Sequence, residues 1–279
     1  MGEFILIKIS KITTQKNNTE RFNIFIDKGN GEEFGFSVDQ DVLIELQIRK
    51  GNTYSEEEIN EILYKDEIKK AFNLALKYLS YRMRAEKEIQ DYLLKKDYQD
   101  DIVGIVLQKL KQNQYVNDLE FAKAFVRSRV TNATKGPLLI RQELQQKGIS
   151  ETNIQESLKE FPESTQLEIA IAFAEKNAKQ KNSLSHSQIK QKIGQALLAK
   201  GFSQNIIKTA LSQVTLEKDE EEQFLAVRTQ GEKAFKKYSP KFEGWELEQR
   251  IKQYLYQRGF KSDEIEAFIS SYNKEEECY

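Results

Sequence analysis

Ile140-Arg141-Gln142-Glu143-Leu144-Gln145-Gln146-Lys147-Gly148-Ile149-Ser150 is the stretch that decides how this chain folds. Apolar residues four apart, Ile140 and Leu144, lie on one stripe of a helix. Gly148 stops that helix by taking the left-handed conformation just beyond its end. Lys147 is a cation in the last turn, where the helix dipole favours one. Ser150 then offers a hydroxyl to cap a following helix. The stretch therefore predicts two helices joined by a tight turn around Ile149.

The same pattern returns three times. Lys200-Gly201-Phe202 and Arg258-Gly259-Phe260 repeat Lys147-Gly148-Ile149, and Lys96-Asp97-Tyr98 is an earlier, looser copy. With Asp97, Gly148, Gly201 and Gly259 as position zero, position −4 is Leu93, Leu144, Leu197 and Leu255. Position −8 is Ile89, Ile140, Ile193 and Ile251, position +10 is Leu107, Leu158, Leu211 and Ile269, and position −1 is always basic. Ser203 and Ser262 stand in the place of Ser150, whereas copy one offers only Asp100 or Asp101 as the cap and Asp97 as a poorer helix stop. Upstream of each hairpin lies another amphipathic stretch: Glu67–Leu79, Leu119–Val126, Gln166–Ala178 and Glu222–Lys237. Each unit thus has three helices, too few to bury a core alone. Stacking into an elongated, curved array is the expected solution, with a long concave surface.

Outward from the repeats, the first fifty residues change character. Phe4–Ile9, Phe22–Ile26 and Phe34–Val38 are short aromatic and β-branched runs, with a turn at Asp27-Lys28-Gly29-Asn30-Gly31. A small antiparallel sheet is expected, followed by a short helix capped by Asp39 and a capping-box start at Ser55 with Glu58. The expected class is mainly α: tandem three-helix repeats behind a small sheet. The expected modules are 1–54 (β-rich), 55–118 (a linker helix and repeat 1), 119–161, 162–214 and 215–279.

Composition bounds the chemistry. One cysteine, Cys278, excludes an internal disulfide, and one histidine, His186, excludes multi-His metal sites. His186 falls in the loop expected before the second helix of copy three, and Cys278 lies in an acidic tail that does nothing to lower its pKa. No phosphate loop, dinucleotide fingerprint, zincin motif or nucleophile elbow occurs. The triplets Glu56–Glu58 and Glu220–Glu222 are contiguous solvated charges at helix starts, not a paired acid and base. No catalysis, metal or cofactor is expected. The apolar start is too short for a signal or membrane span, so the expected location is the cytoplasm.

The net charge of −1 conceals its distribution. Residues 1–66 carry −5, residues 67–214 carry +8 and residues 215–279 carry −4. A basic middle suits an acidic partner, although lysine-rich helices can also simply be solvated. Arginines cluster within it at Arg82 and Arg84, at Arg127 and Arg129, and at Arg141, and guanidinium forks suit carboxylate or phosphate. Equivalent placement at helix ends suggests one face; complementing helix dipoles is the alternative. Lys135-Gly136-Pro137 is a helix start whose free N–H groups could seat an anion or serve only as a turn.

Taken together, these residues resemble the RecX family, bacterial regulators of the RecA recombinase. Leu76–Ile89, with Arg82 and Arg84, is similar to the family's first signature. Tyr115-Val116-Asn117-Asp118, with Phe121, Ala122, Val126 and Arg127, is similar to its second, and Lys135-Gly136-Pro137 through Ile149 to its third. The β-rich start and extra C-terminal repeats are similar to the longer forms of low-GC Gram-positive bacteria. Ala85 departs from the pattern, which has a capping serine there. The resemblance implies a non-catalytic, mainly negative modulator, monomeric and free of membranes. It would lie in the groove of the RecA–single-stranded DNA filament and limit filament growth, ATP hydrolysis, strand exchange and coprotease activity in DNA repair and the SOS response. Arg82, Arg84, Arg127, Arg129, Lys135 and Arg141 are the expected contacts to RecA or DNA phosphate, and Gly136, Pro137, Gly148, Gly201 and Gly259 the expected structural turns. A helical-repeat DNA binder acting without RecA, and a scaffold for another protein, are the rival readings.

Overall fold

The structure, a computed structural model, describes residues 6–133, 135–178, 184–214 and 220–276. Cys278 and Ser183 lie outside the described residues. The chain divides into two compact units, Met1–Phe121 with Lys147–Ser150, and Ala122–Gln146 with Glu151–Tyr279.

The first unit opens with strands β1 (Ile7–Thr14), β2 (Arg21–Asp27) and β3 (Glu32–Asp39), helix α1 (Gln40–Glu45) and the two-residue strand β4 (Thr53–Tyr54). They form an antiparallel sheet of order β3-β2-β1-β4. The Asp27 carboxylate accepts the Gly29 and Gly31 N–H groups and so tightens the β2–β3 turn. Alternation places Ile7, Ile9, Ile24, Ile26, Phe36 and Val38 on one buried face. Ile59 and Ile62 of helix α2 (Glu56–Leu79) close that face. Asp39 caps α1, and the Ser55–Glu58 capping box starts α2, both as the sequence predicts. The linker helix and the first helix of repeat 1 prove to be one unbroken element, because nothing between Glu56 and Leu79 breaks a helix.

Asp66 fixes this helix to the sheet. It is only 1% exposed and accepts from the Arg21 guanidinium, the Lys70 ammonium and the Asp39 N–H. Burial alone would raise its pKa, but the hydrogen bonds from Arg21, Lys70 and Asp39 hold it below the ordinary carboxyl value.

Repeat 1 is completed by α3 (Glu86–Leu94) and α4 (Asp100–Gln112), packed on α2 through Ile68, Ala71, Ala75, Ile89, Leu93 and Val106. Next come α5 (Asp118–Thr131), α6 (Pro137–Gln146) and α7 (Glu151–Leu158). Then follow α8 (Glu163–Ala178), α9 (His186–Ala199) and α10 (Gln204–Gln213), and finally α11 (Glu220–Tyr238), α12 (Gly244–Gln257) and α13 (Ser262–Glu276). Four helix triplets thus follow the sheet. All four zero positions have positive φ: Asp97 65°, Gly148 80°, Gly201 87° and Gly259 75°. In copies one, three and four the +1 N–H donates to the −4 carbonyl, the closure expected of such a turn.

Two predicted caps are corrected. Helix α13 begins at Ser262 itself, and the preceding Lys261 N–H donates to Glu264 instead. In copy one the cap position is Gln99, without a side-chain bond, while Asp100 and Asp101 sit inside the first turn of α4.

Candidate functional site

Ala85, where a serine would ordinarily cap α3, is fully buried, and the missing cap comes from two other residues. Glu88 accepts the Ala85 N–H from within the helix, and Asp118, the first residue of α5, accepts the Glu86 N–H at 2.8 Å. Burial, followed by the charges of Glu86 and Glu88, raises the Asp118 pKa despite that bond. The helix start is therefore ordered by a residue far away in sequence.

Of the six nominated cations, Arg82 and Arg84 lie in the first unit. Arg82 donates to Glu88 at 2.8 Å and to the Met83 carbonyl at 2.9 Å. Lys147 adds a second cation to Glu88 at 3.4 Å. Burial pushes the Glu88 carboxyl up, but the Arg82 hydrogen bond, the Ala85 N–H and Lys147 together hold it below its usual range. Arg84 is different. Its guanidinium lies 3.9 Å from the centroid of Tyr78, which stacks on Tyr92 at 4.0 Å with the planes 9° apart. Its Nε is buried without a hydrogen-bond partner, and no ion pair engages it among the described residues.

The other four lie in the second unit. Arg129, 4.5 Å from the Phe125 ring centroid, and Lys135 converge on Glu143, with Arg129 Nε donating at 3.0 Å. Burial pushes the Glu143 carboxyl up, but hydrogen bonds from Lys135 and Arg129 hold it below its usual range. Arg127 pairs with Glu160 at 3.5 Å and Arg141 with Glu151 at 2.7 Å. The structure thus brings Arg129 and Lys135 together and gives five of the six cations a carboxylate within the chain. Arg84 has no such carboxylate among the described residues and is held by its stacking on Tyr78.

The Gly136-Pro137 helix start is not an anion seat. The Gly136 N–H donates to the Lys200 carbonyl at 2.7 Å, and the Leu138 N–H to the Gly201 carbonyl at 3.1 Å. A Cβ on Gly136 would stand 2.5 Å from the Gly201 carbonyl carbon and oxygen, so only glycine permits the approach. Two further zero positions make the same kind of contact. Gly148 sits against Lys87, and Gly259 against Ser187, while Ser185 Oγ donates to the Arg258 carbonyl. Each turn therefore rests on the start of the second helix of the preceding repeat.

Sequence reasoning missed what the recurring cation at −1 touches. Lys96 lies over Tyr92, Lys147 over Phe121, Lys200 over Phe173 and Arg258 over Tyr254, at 6.0, 5.7, 5.1 and 3.6 Å from the ring centroids. The aromatic partners occupy no fixed sequence offset, which hid the pairing. His186, read as a loop residue, is the first residue of α9. No helix among the described residues is long and apolar enough to cross a membrane.

Fold and surface together define a class: a tandem three-helix repeat protein headed by a small antiparallel sheet, with arginine and lysine clustered at the repeat corners. Comparison with known proteins narrows it. The family model described as the regulatory protein RecX N-terminal domain matches residues 7–54. The first, second and third RecX three-helix domains match 71–110, 117–158 and 164–211, the third matching again over 220–269. A Bacillus cytotoxicus protein named "Regulatory protein RecX" is 44% identical over 94% of this chain and 96% of its own. Its namesake in Bacillus cereus (strain B4264) is 42% identical over 96% and 99%. A solved structure described as "Crystal structure of regulatory protein RecX" superposes with a TM-score of 0.67 at 35% identity, covering 74% of this chain and all of that one. The chain belongs to the RecX family of regulatory proteins.

Proposed function

We propose that this protein is a non-catalytic modulator of the RecA recombinase in the cytoplasm. It docks in the groove of the RecA–single-stranded DNA filament and limits filament growth, ATP hydrolysis, strand exchange and coprotease activity. The observation that carries the reading is the run of RecX domain matches, in order, from residue 7 to residue 269.

At the level of residues, Arg84 is the leading contact. Stacking on Tyr78 holds its guanidinium in one orientation without pairing it to an anion, which suits it to a carboxylate or phosphate on the partner. Arg82, Arg127, Arg129, Lys135 and Arg141 contribute by exchanging an internal carboxylate for an external one. The test adds the full chain to RecA filaments on single-stranded DNA and follows ATP hydrolysis. A several-fold molar excess that leaves the rate unchanged refutes the reading.

A further inference from the structure

Four turns share one backbone shape, yet only three of them are glycine. Positive φ does not explain the difference: Asp97 holds 65° with a side chain, and Gln47, Gln114 and Ala133 also have positive φ. What sets the glycines apart is contact. A Cβ on Gly148 would stand 2.9 Å from the Lys87 Cβ, one on Gly201 2.7 Å from the Leu139 nitrogen, and one on Gly259 2.6 Å from the Ser187 Cβ. Glycine at position zero is therefore demanded by the repeat on which the turn rests. The Asp97 turn, in the first repeat, rests on no other repeat among the described residues, and Asp97 is exposed. The −1 cation agrees, being exposed at Lys96 and half-buried at Lys147, Lys200 and Arg258.

The other half of the junction follows the same rule. In the three repeats whose second helix receives a turn, the residue just before that helix is Ala85, Gly136 or Ser185, and all three are buried. Their small size lets the incoming −1 carbonyl approach: the Gly136 N–H reaches that of Lys200 at 2.7 Å, and Ser185 Oγ donates to that of Arg258. The start of α12 receives no turn among the described residues. There the corresponding residue is Glu243, exposed and without a side-chain bond to its own helix. Filled junctions thus have small residues on both sides, whereas the two unfilled surfaces each carry a carboxylate.

These two surfaces are counterparts. The Asp97 turn of one copy has the shape that the α12 start of another lacks, and a head-to-tail contact of that kind does not close on itself but grows into a chain. We propose that Asp97 and Glu243 are stops that keep a second copy of this chain from stacking onto either surface. The Asp97 Cβ fills the gap that glycine leaves empty in each filled junction. Its carboxylate would enter beside that of Glu243, where like charges repel as water is excluded. The inference stands apart from the RecA reading.

Both stops can be removed without harm to the fold, because glycine suits a φ of 65° at position 97 and serine caps a helix better than glutamate at position 243. The test follows the mass of the full chain by sedimentation equilibrium up to about 1 mM, the order of the effective concentration at which tethered modules meet. The parent, Asp97→Gly alone and Glu243→Ser alone should each remain single chains. An equimolar mixture of the two single variants should double in mass and go no further, since one supplies the open turn, the other the open helix start, and their remaining ends stay closed. The double variant should grow with concentration into longer chains. Trp245, the sole tryptophan, follows Glu243 by two residues, as Lys87 follows Ala85 and Ser187 follows Ser185, so its emission should shift to the blue in the mixture and in neither single variant. Asp97→Ala removes the charge but keeps the Cβ, and should pair with Glu243→Ser at least about tenfold more weakly than Asp97→Gly does. A mixture of Asp97→Gly with Glu243→Ser that stays at one-chain mass overturns the stops. So does a parent or single variant that associates by itself, or an Asp97→Ala variant that pairs as tightly as Asp97→Gly.

Discussion

Gly136→Ala should open the junction between repeats 2 and 3. The new Cβ would stand 2.5 Å from the Gly201 carbonyl carbon and oxygen and 2.6 Å from the Phe202 nitrogen, where ordinary contact begins near 3.4 Å. These are backbone atoms and cannot swing aside, so the turn must retreat by about 0.9 Å. The same retreat would stretch the bonds from Gly136 and Leu138, now 2.7 and 3.1 Å, to about 3.6 and 4.0 Å, beyond useful hydrogen-bond range. Two such bonds are worth about 1 kcal/mol each, and overpacking adds about 1 kcal/mol. The entropy gain of Gly→Ala in the unfolded chain offsets about 0.7 kcal/mol, leaving a net loss of about 2 kcal/mol. Native-state hydrogen exchange on the full chain reads this directly, as a roughly 30-fold loss of protection at the Leu138 amide. Gly104→Ala is the control: Gly104 sits within α4 with nothing inside 4 Å of its would-be Cβ, so alanine should stabilise by about 1 kcal/mol. If Gly136→Ala leaves Leu138 as protected as before, the junction is not built from these contacts.

Three further outcomes are expected. Asp66→Asn leaves Arg21 and Lys70 without their buried anion and should cost about 3 kcal/mol in urea unfolding of the full chain. Because the Asp66 pKa is depressed, its stabilisation is present above the ordinary carboxyl value of 3.8 and is lost as pH falls through the lower folded value; the variant should therefore show a shallower acid limb. Asp118→Ala removes the acceptor of the Glu86 N–H, so α3 should fray with a loss of about 1 kcal/mol, seen as faster exchange at Glu86. Arg84→Ala should weaken the effect on RecA ATP hydrolysis at unchanged helical content; Arg84→Lys should not restore it, since an ammonium lacks the flat face that stacks on Tyr78.

What the sequence made legible was local. The register of Ile89 with Leu93, repeated to Ile251 with Leu255, and the helix stop at each zero position depend on residues a few places apart, so they can be counted along the chain. Asp39 and Ser55 were legible as caps for the same reason. The rest depended on distant partners. Gly136-Pro137 looks like an open helix start until the Lys200 and Gly201 carbonyls arrive from the next repeat. Ala85 looks like a missing cap until Asp118 supplies one. Strand β4 is two residues long, too short to alternate, and is defined only by its pairing with Ile7 and Lys8.

The candidate site shows the same division, and it changes how the basic middle should be counted. The cation at −1 was expected to serve the helix dipole, worth about 0.3–1 kcal/mol. Lying over a ring is worth a similar amount at an exposed site, so neither effect alone selects the residue. The carbonyl of the same residue decides more. At Lys200 and Arg258 it accepts a bond from the preceding repeat while the side chain lies over Phe173 or Tyr254 of its own repeat. A basic residue there belongs to the fold. Lys96, Lys147 and Lys200 therefore contribute to the +8 of residues 67–214 without being evidence for a docked anion. Nor are Arg82, Arg127, Arg129, Lys135 and Arg141, each of which already faces a glutamate. The positive charge that does point outward is narrower than the composition suggests. It includes Arg84 on its tyrosine stack and the exposed Lys190 of α9 and Lys208 of α10, and those are the positions where charge reversal should separate docking from folding.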